Sequence, residues 1–379
     1  QHPADDANSD TVTTHFEYHC MEDNLLKLDM LGHDDPTMIK MLEDLTGVNA
    51  RAIPLDDPDT MSIFTSSKVL GFENDEILGP TGAVAIPEFN TRFTRGMLMD
   101  TMPRDFNTLV RLSGFSHGTD VWLGNARELI VSGTASVLET VGCRDDIMLY
   151  LISMGLDPKT SFKIMEAVRK GKVKKGGFQD GWEEAMRDHE VPDWYIGSLA
   201  KIGYLFPKAH AVAYVMMAFR IAWFKVHQPL AFYATFFSIR AKAFDAEYCC
   251  AGLDAVKRKI REIENNKDAT DVEQNLLVTL EVCYEFYLRG FHFDTISIYD
   301  SDATHFKITR NGLLPPFITV RGLGETAALD TVEKREGKTF ISVEEFATTC
   351  NKLSKTHIEQ LKALGAFAGM ADTSQVSLF

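Results

Sequence analysis

The feature that most constrains the fold is an apolar run in the second half of the chain, AHAVAYVMMAFRIAWFKVH (209–227). Its apolar residues fall on nearly every side of a helix instead of along one stripe, so the rest of the chain has to cover it. Met and aromatic residues in this pattern are more typical of a core helix than of a cofactor site. We therefore predict a buried helix over 208–226.

Acidic residues and prolines predict where other helices begin. Asp35-Pro36 and Asp57-Pro58 each combine an acidic cap with a proline at the first helical position. Short alternating strands are expected only within 291–309. The pattern predicts a mainly α fold with small β elements (α+β). The predicted helices are 105–113, 144–155, 158–171, 179–189, 192–204, 208–226, 245–266 and 270–290, with two short ones in 342–366.

Composition limits the class of protein. With 379 residues, of which 45% are hydrophobic, the chain is long enough for two or three packed domains. No stretch approaches 18 uninterrupted apolar residues and the start QHPADDANSD is polar, so neither a membrane span nor a signal peptide is expected. The six cysteines form no CxxC pair, which argues against structural zinc and fits a reducing cytoplasm. Because no Met begins the chain, we expect it to be part of a longer polypeptide.

Charge is unevenly distributed. The net charge is −15, yet residues 1–60 carry 14 Asp/Glu against 3 Lys/Arg. Residues 159–175, here called the basic run, carry seven Lys/Arg and one Glu. Such a run is suited to phosphates, although a solvated helix end fits equally well. Its candidate phosphate-binding residues are Arg169, Lys170, Lys172, Lys174 and Lys175.

One carboxylate lies inside a short strand-like run, residues 25–31. Asp29 is flanked by Leu28 and Met30, so its side chain points to the face opposite theirs. A strand-centre carboxylate has to meet water or a cation, and a divalent metal is one such cation. From the residues alone, a metal ligand and a solvated edge residue both remain open.

A further segment places polar groups close together. The loop-rich stretch LVRLSGFSHGTDVWLGNA (109–126) contains Arg111, Ser116, His117 and Asp120, a set suited to a base or a sugar but also to an ordinary capped loop. No GxSxG elbow surrounds Ser116, so a Ser–His hydrolase is not expected.

Cations at helix ends are candidates for phosphate binding. Arg144 lies near the start of one predicted helix. Lys208 and His210 open the apolar helix, where backbone donors also favour anions. No P-loop spacing is present. A core position for His210 stays open.

Two C-terminal patterns indicate macromolecular partners. Gly322 and Gly324 in RGLGE resemble the turn of a helix-hairpin-helix element, which offers backbone N–H groups to a DNA phosphate. The last residues, QVSLF, end a polar tail expected to be disordered. Gln375, Leu378 and Phe379 are typical of a peptide that inserts apolar anchors into a partner's pocket.

Taken together, these segments resemble the PolC-type bacterial DNA polymerase III alpha subunit along essentially the whole chain. The resemblance is carried by DNLLKLDMLGHDDPTMIKMLEDLTG (23–47), IPEFNTRF (86–93), LVRLSGFSHGTDVWLGNA (109–126), GCRDDIM (142–148), FPKAHAVAYVMMAFRIAWFKVHQPL (206–230), RGLGETAA (321–328) and QVSLF.

The resemblance implies nucleotidyl transfer from a dNTP to a primer 3′ end with two Mg²⁺ ions. Asp29 then corresponds to the third of three palm carboxylates that bind these ions, and the other two lie upstream of residue 1. The implied dNTP-binding residues are Ser116, His117, Asp120, Arg144, Lys208 and His210. The implied DNA-binding residues are Arg111, Arg169, Lys170, Lys172, Lys174, Lys175, Gly322 and Gly324. The implied clamp-binding residues are Gln375, Leu378 and Phe379.

The implied organisation is the end of a palm over 1–70, helical fingers over 71–240, a duplex-binding and helix-hairpin-helix region over 241–368, and a clamp-binding tail over 369–379. The expected partners are primer–template DNA, a dNTP, the sliding clamp and other replisome subunits, with no membrane. Because two metal ligands are missing, we expect this chain alone to polymerise DNA negligibly. The alternatives are a non-catalytic DNA- or clamp-binding module and a helical protein unrelated to DNA.

Overall fold

A computed structural model describes residues 5–21, 23–26, 28 and 32–373. The chain divides into two compact units, residues 1–34 and 35–379. In the first unit the described residues form one short 3₁₀ helix, Tyr18–Cys20. The predicted strand at 25–31 is only partly described, and its three described leucines are exposed and adopt no strand structure. Asp29 lies outside the described residues.

The second unit is mainly helical, with a small sheet near its C-terminal end. Its α-helices are α1 (Asp35–Thr46), α2 (Pro58–Ser62), α3 (Arg92–Thr101), α4 (Phe106–His117), α5 (Arg127–Val131), α6 (Arg144–Ser153), α7 (Pro158–Arg169), α8 (Lys172–Gly176), α9 (Trp182–Asp188), α10 (Asp193–Lys201), α11 (Lys208–His227), α12 (Pro229–Ile239), α13 (Ala246–Cys249), α14 (Leu253–Asn265), α15 (Asp271–Leu288), α16 (Glu325–Arg335), α17 (Val343–Thr349) and α18 (Lys355–Ala363).

Side-chain caps explain several helix starts. The Asp57 carboxylate accepts a hydrogen bond from the Thr60 backbone N–H at the start of α2, as the Asp-Pro signal predicts. Asp157 caps α7 in the same way. The predicted helix over 245–266 is instead two helices, because Gly252 adopts a φ of 91° between α13 and α14. Helix α3 was not among the predicted helices.

The sheet has three short strands, β1 (His292–Phe293), β2 (Lys307–Ile308) and β3 (Gly312–Leu314), in the order β1-β3-β2. β1 runs parallel to β3, and β2 runs antiparallel to it. The expected alternating strands are therefore largely replaced by turns. Ser297 and Asp302 accept backbone N–H bonds two and three residues ahead, and such local bonds compete with strand pairing.

Helix α11 lies in the core, as predicted. Its fully buried residues include Val215, Ala218, Phe219 and Ala222, and it packs against α1, α2, α4 and α12. By length and composition α11 is also apolar enough to cross a membrane, with a mean hydropathy of 1.2. However, 44% of that apolar window is buried within the protein, and the core helix of a water-soluble protein has the same composition.

A buried ion pair anchors the C-terminal end of α11. Lys225 and Glu285 are both fully buried, and the ammonium of Lys225 lies 2.7 Å from the Glu285 carboxylate. Lys225 also donates to the carbonyls of Gly82 (2.7 Å) and Val84 (2.6 Å), and the Tyr233 hydroxyl donates to Glu285. Burial, partly opposed by Glu285, lowers the pKa of Lys225 to about 8. This network joins α11, α12 and α15 to the loop before α3.

Candidate nucleic-acid interface

Three helix ends meet and bring most of the predicted nucleotide-binding residues together. They are the C-terminal end of α4 with Ser116 and His117, the N-terminal end of α6 with Arg144, and the N-terminal end of α11 with Lys208 and His210. We call this the helix junction. The His117 and His210 rings lie 5.4 Å apart, and the Arg144 backbone N–H donates to the Phe206 carbonyl at 3.1 Å.

Two glycines allow the elements of the junction to approach closely. A Cβ added to Gly114 in α4 would lie 2.2 Å from the carbonyl oxygen of Gly142, which precedes α6. A Cβ added to Gly142 would in turn lie 2.6 Å from Cδ of Arg111. Any larger residue at either position would push the start of α6 away from α4, so these glycines set the spacing of the junction.

His117 has two acceptors as partners. Its Nδ1 lies 2.8 Å from the Ser113 carbonyl, and its Nε2 lies 3.2 Å from a carboxylate oxygen of Glu88. The Ser116 hydroxyl donates to the same Ser113 carbonyl at 3.0 Å. Because Nδ1 donates to a backbone carbonyl, it is not available as a base for Ser116. This agrees with the absence of a nucleophile motif in the sequence.

Aromatic rings form one wall of the junction. The Phe206 ring lies 5.1 Å from both Tyr204 and His210, and His210 lies 4.6 Å from Tyr214. All four side chains are partly exposed. Partly exposed aromatic faces beside cations suit stacking on a base or a sugar.

The first backbone donor of α11 is already occupied within the protein. The Asp145 carboxylate in α6 accepts a hydrogen bond from the Lys208 backbone N–H at 2.7 Å. An anion was expected at this helix end, and Asp145 supplies it. The phosphate interaction predicted here therefore rests on the Arg144 and Lys208 side chains. Arg144 is 37% exposed, and its nearest carboxylate oxygen, on Asp145, lies 4.0 Å away.

Arg111 has a structural environment. Its guanidinium is largely buried and lies 2.6 Å from both the Thr140 carbonyl and the Asp146 carboxylate. Asp146 also accepts the backbone N–H groups of Gly142 and Cys143. Arg111 thus fixes the turn that starts α6, and this geometry does not favour the DNA contact predicted for it.

Asp120 lies on the side of the junction that faces α8, where Lys174 donates to its carboxylate at 2.5 Å. Its φ of 57° is unusual for a residue other than glycine. The pairing of Asp120 with a residue of the basic run is an arrangement that the sequence did not indicate. It makes Asp120 an anchor for Lys174 more than a ligand for a nucleotide.

The basic run is divided between paired and unpaired cations. Arg169 donates to both carboxylate oxygens of Glu166, at 2.8 and 2.9 Å, and Lys170 lies 3.2 Å from the same carboxylate. These contacts lower the pKa of Glu166 to about 2. Lys172 and Lys175 are exposed and have no carboxylate partner among residues 32–373. Lys159 and Lys163 are also exposed and have no carboxylate partner among these residues. Of the five candidate phosphate-binding residues, Lys172 and Lys175 are the two that remain available to phosphates.

The glycine turn before α16 has the predicted form. Gly322 has a φ of 76°, and Gly324 is the N-cap of α16. A short 3₁₀ helix, Phe317–Thr319, precedes the turn. Arg321 lies between this 3₁₀ helix and the turn. It donates to Asp245 at 2.7 Å and to Glu247 at 2.8 Å, so its guanidinium holds the turn against the start of α13.

The predicted metal and clamp residues are not described. Asp29 and the tail residues Gln375, Leu378 and Phe379 lie outside the described residues. Among the residues that are described, no group of three or more His, Cys, Asp or Glu side chains is arranged to hold a metal ion. The described part of the chain therefore does not form the Mg²⁺ site that the resemblance implies.

Sequence reasoning did not single out Glu88 and Asp145, which organise the junction. Glu88 lies in IPEFNTRF and has a φ of 69°, a strained conformation that brings its carboxylate to His117. No local pattern in the sequence links this segment to His117. Asp145 was visible only as an acidic residue in the first turn of α6.

Comparisons with known proteins show which family this chain resembles. Residues 35–190 match the model of the bacterial DNA polymerase III alpha subunit finger domain, and residues 290–376 match a helix-hairpin-helix motif. Over its whole length the chain is 54% identical to the DNA polymerase III PolC-type of Caldanaerobacter subterraneus subsp. tengcongensis. It is 50% identical to that of Halalkalibacterium halodurans and 49% identical to that of Streptococcus mutans serotype c.

The chain belongs to the PolC-type DNA polymerase III family. It covers 27% of the Caldanaerobacter relative and 26% of the other two, so it spans about a quarter of the length of these relatives. The finger-domain match contains Ser116, His117, Arg144 and the basic run. The helix-hairpin-helix match contains the turn with Gly322 and Gly324. The division into palm, fingers, duplex-binding region and tail stays a prediction.

Proposed function

We propose that this chain provides nucleotide- and DNA-binding surfaces of a replicative DNA-directed DNA polymerase. In the intact protein the primer 3′ oxygen attacks the α-phosphorus of a dNTP, a new phosphodiester bond forms, and pyrophosphate leaves. The observation that carries this proposal is the helix junction. Five of the six predicted nucleotide-binding residues, distant in sequence, lie there beside partly exposed aromatic rings.

Each surface of the chain has a separate role in this proposal. The Arg144 and Lys208 side chains bind the triphosphate, and the aromatic wall with His210 positions the base or sugar. His117, held by Ser113 and Glu88, keeps this wall in place. Lys172 and Lys175 bind phosphates of the DNA, and the backbone of the turn at Gly322 and Gly324 binds the duplex.

The metal and clamp assignments rest on the family resemblance. Asp29 is proposed as one Mg²⁺ ligand, with the remaining ligands supplied by the palm that precedes this region in the relatives. Gln375, Leu378 and Phe379 are proposed to bind the sliding clamp. A cytoplasmic location with other replisome subunits follows from the same function.

A primer-extension assay tests the proposal once the preceding part of a PolC-type polymerase is restored. Asp29→Ala should reduce extension by orders of magnitude while DNA affinity is kept, because a two-metal site tolerates the loss of a carboxylate poorly. Asp34→Ala, beyond Gly32, is the matched control and should extend primers normally. Near-normal extension by Asp29→Ala would refute the metal-ligand assignment.

The second candidate is a non-catalytic DNA- or clamp-binding module. The observation in its favour is that residues 290–376 match a helix-hairpin-helix motif, which this candidate uses without a catalytic site. Deleting residues 375–379 should abolish clamp binding without changing DNA affinity. Restored polymerase that binds DNA and clamp but extends no primer, even with Asp29 intact, would favour this candidate.

A further inference from the structure

Two charged residues interrupt the interior of α11, and their environments differ. The Lys225 ammonium has all its hydrogen bonds completed by a carboxylate and two carbonyls. Arg220 is only partly exposed, and none of its nitrogens has a hydrogen-bond or ion-pair partner among the described residues. Its Nε is closed off from solvent and lacks an acceptor. A buried guanidinium N–H without an acceptor lowers the stability of the fold, so the position of Arg220 calls for an explanation.

Other largely buried arginines in the chain do have partners. Arg95 also has an unbonded Nε, but its terminal nitrogens donate to the Leu78 carbonyl at 3.0 Å and to Glu281 at 3.3 Å. Arg335 donates to the Ile298 carbonyl at 3.0 Å. Arg220 therefore differs from these structural arginines, because none of its guanidinium nitrogens bonds to another residue that the structure describes.

The position of Arg220 on α11 indicates where its partner comes from. At 3.6 residues per turn, Arg220 shares a side of the helix with Ala209, Ala213 and Met216. Ala209 and Ala213 are exposed, and their small side chains leave this side of the helix accessible. The side begins at the helix junction and runs toward Arg220, which is about 15 Å from His210 along the axis.

We propose that Arg220 binds a phosphate of the DNA backbone along the open side of α11. The planar guanidinium matches phosphate oxygens, and its weak hydration makes partial burial tolerable before the ligand arrives. A triphosphate held at the start of α11 does not extend as far as Arg220, so a separate phosphate on the DNA strand is the ligand. The inference rests on the proposed function and adds a residue that neither the motifs nor the resemblance indicated.

Fluorescence anisotropy of the 379-residue chain with a labelled primer–template tests this assignment. Arg220→Gln should raise Kd about tenfold and reduce the slope of log K against log salt by about 0.9. Arg220→Lys should recover part of the affinity because it keeps the charge. Arg310→Gln, at an exposed arginine without an ion pair, is the control and should bind as the wild type does. The thermal midpoint of Arg220→Gln should not fall, since Arg220 has no partner to lose within 32–373.

The outcomes separate this inference from the proposed function. If the wild type binds DNA in a salt-dependent way and Arg220→Gln binds equally well, the inference is wrong and the proposed function stands. If the wild type shows no salt-dependent binding, both are wrong. A lowered thermal midpoint with unchanged DNA affinity would identify a protein carboxylate as the partner. Loss of dNTP-induced thermal stabilisation with unchanged DNA affinity would assign Arg220 to the nucleotide. Either of the last two results would overturn the DNA assignment.

Discussion

The two ends of α11 use cations in opposite ways. At the C-terminal end, Lys225 is fully buried and is neutralised by Glu285, with two carbonyls completing its hydrogen bonds. At the N-terminal end, Lys208 and Arg144 lie partly exposed at the helix junction, and only a backbone N–H is taken by Asp145. A buried cation whose hydrogen bonds are completed within the protein holds the helix in place. A partly exposed cation whose side chain lacks such partners is available to a ligand. The same distinction separates Arg169 from Lys172 within the basic run.

The largest effect is expected on stability at Lys225, whose charge is fully paired within the protein. Lys225→Met should lower the free energy of unfolding by about 3–5 kcal/mol, because it leaves Glu285 buried without a counter-ion. Denaturant titration measures this loss. The double variant Lys225→Met/Glu285→Gln is the control and should recover part of the stability. A loss below about 1 kcal/mol for the single variant would show that the network does not anchor α11.

The next largest effect is expected at Lys172 and Lys175, two unpaired cations of the basic run. Replacing both Lys172 and Lys175 by Gln should weaken primer–template binding about tenfold and reduce the salt slope by about 1.8, with unfolding unchanged. Lys267→Gln, at an exposed lysine between α14 and α15, is the control. Equal affinities for the double variant and the wild type would place the DNA elsewhere.

A smaller effect of opposite sign is expected at Glu166. Glu166→Gln removes the carboxylate that neutralises Arg169 and Lys170, so DNA affinity at about 0.1 M salt should rise roughly threefold. Anisotropy with the same primer–template measures it. Glu183→Gln in α9, whose carboxylate pairs with Arg187, is the matched control. If Glu166→Gln weakened binding, the carboxylate would be needed to orient the arginine.

The smallest effect is the pH dependence of stability due to the same carboxylate. The pKa of Glu166 is held at about 2 in the folded protein, below its usual value of 4.5, chiefly by Arg169. The unfolded chain therefore binds the proton first, and the stabilisation is present above pH 4.5 and lost as the pH falls toward 2. The wild type should exceed Glu166→Gln by at most about 1 kcal/mol at pH 6, because the pair is partly solvated. A difference that grew on acidification would contradict this assignment.

Local signals in the sequence predicted many of the helices. The Asp57-Pro58 start, the all-round apolar pattern of α11 and the glycine turn at Gly322 are each set by neighbouring residues, and the structure confirms them. The same local pattern overestimated the strands of 291–309, where β1 and β2 are two residues each and side-chain turns lie between them. It also missed α5 and α8, which are too short to show helical periodicity.

The candidate site was predictable as a set of residues but not as an arrangement. Asp145 meets Lys208 across 63 positions, and Lys225 meets Glu285 across 60. Such pairs depend on tertiary packing, and no spacing rule reports them. Arg111 shows the consequence, because the resemblance assigned it to DNA, and the sequence did not indicate that its guanidinium contacts Asp146 and the Thr140 carbonyl beside the turn before α6.

The measurement that tests the account most directly is a salt titration of primer–template binding by the wild-type chain. If unpaired cations on the basic run and α11 bind DNA phosphates, log K should fall linearly with log salt. The slope should be steeper than about −2.5, as expected for Lys172, Lys175 and Arg220 together. Affinity that stayed constant between 50 and 200 mM salt, or no binding at 50 mM, would contradict the assignment of these surfaces to DNA.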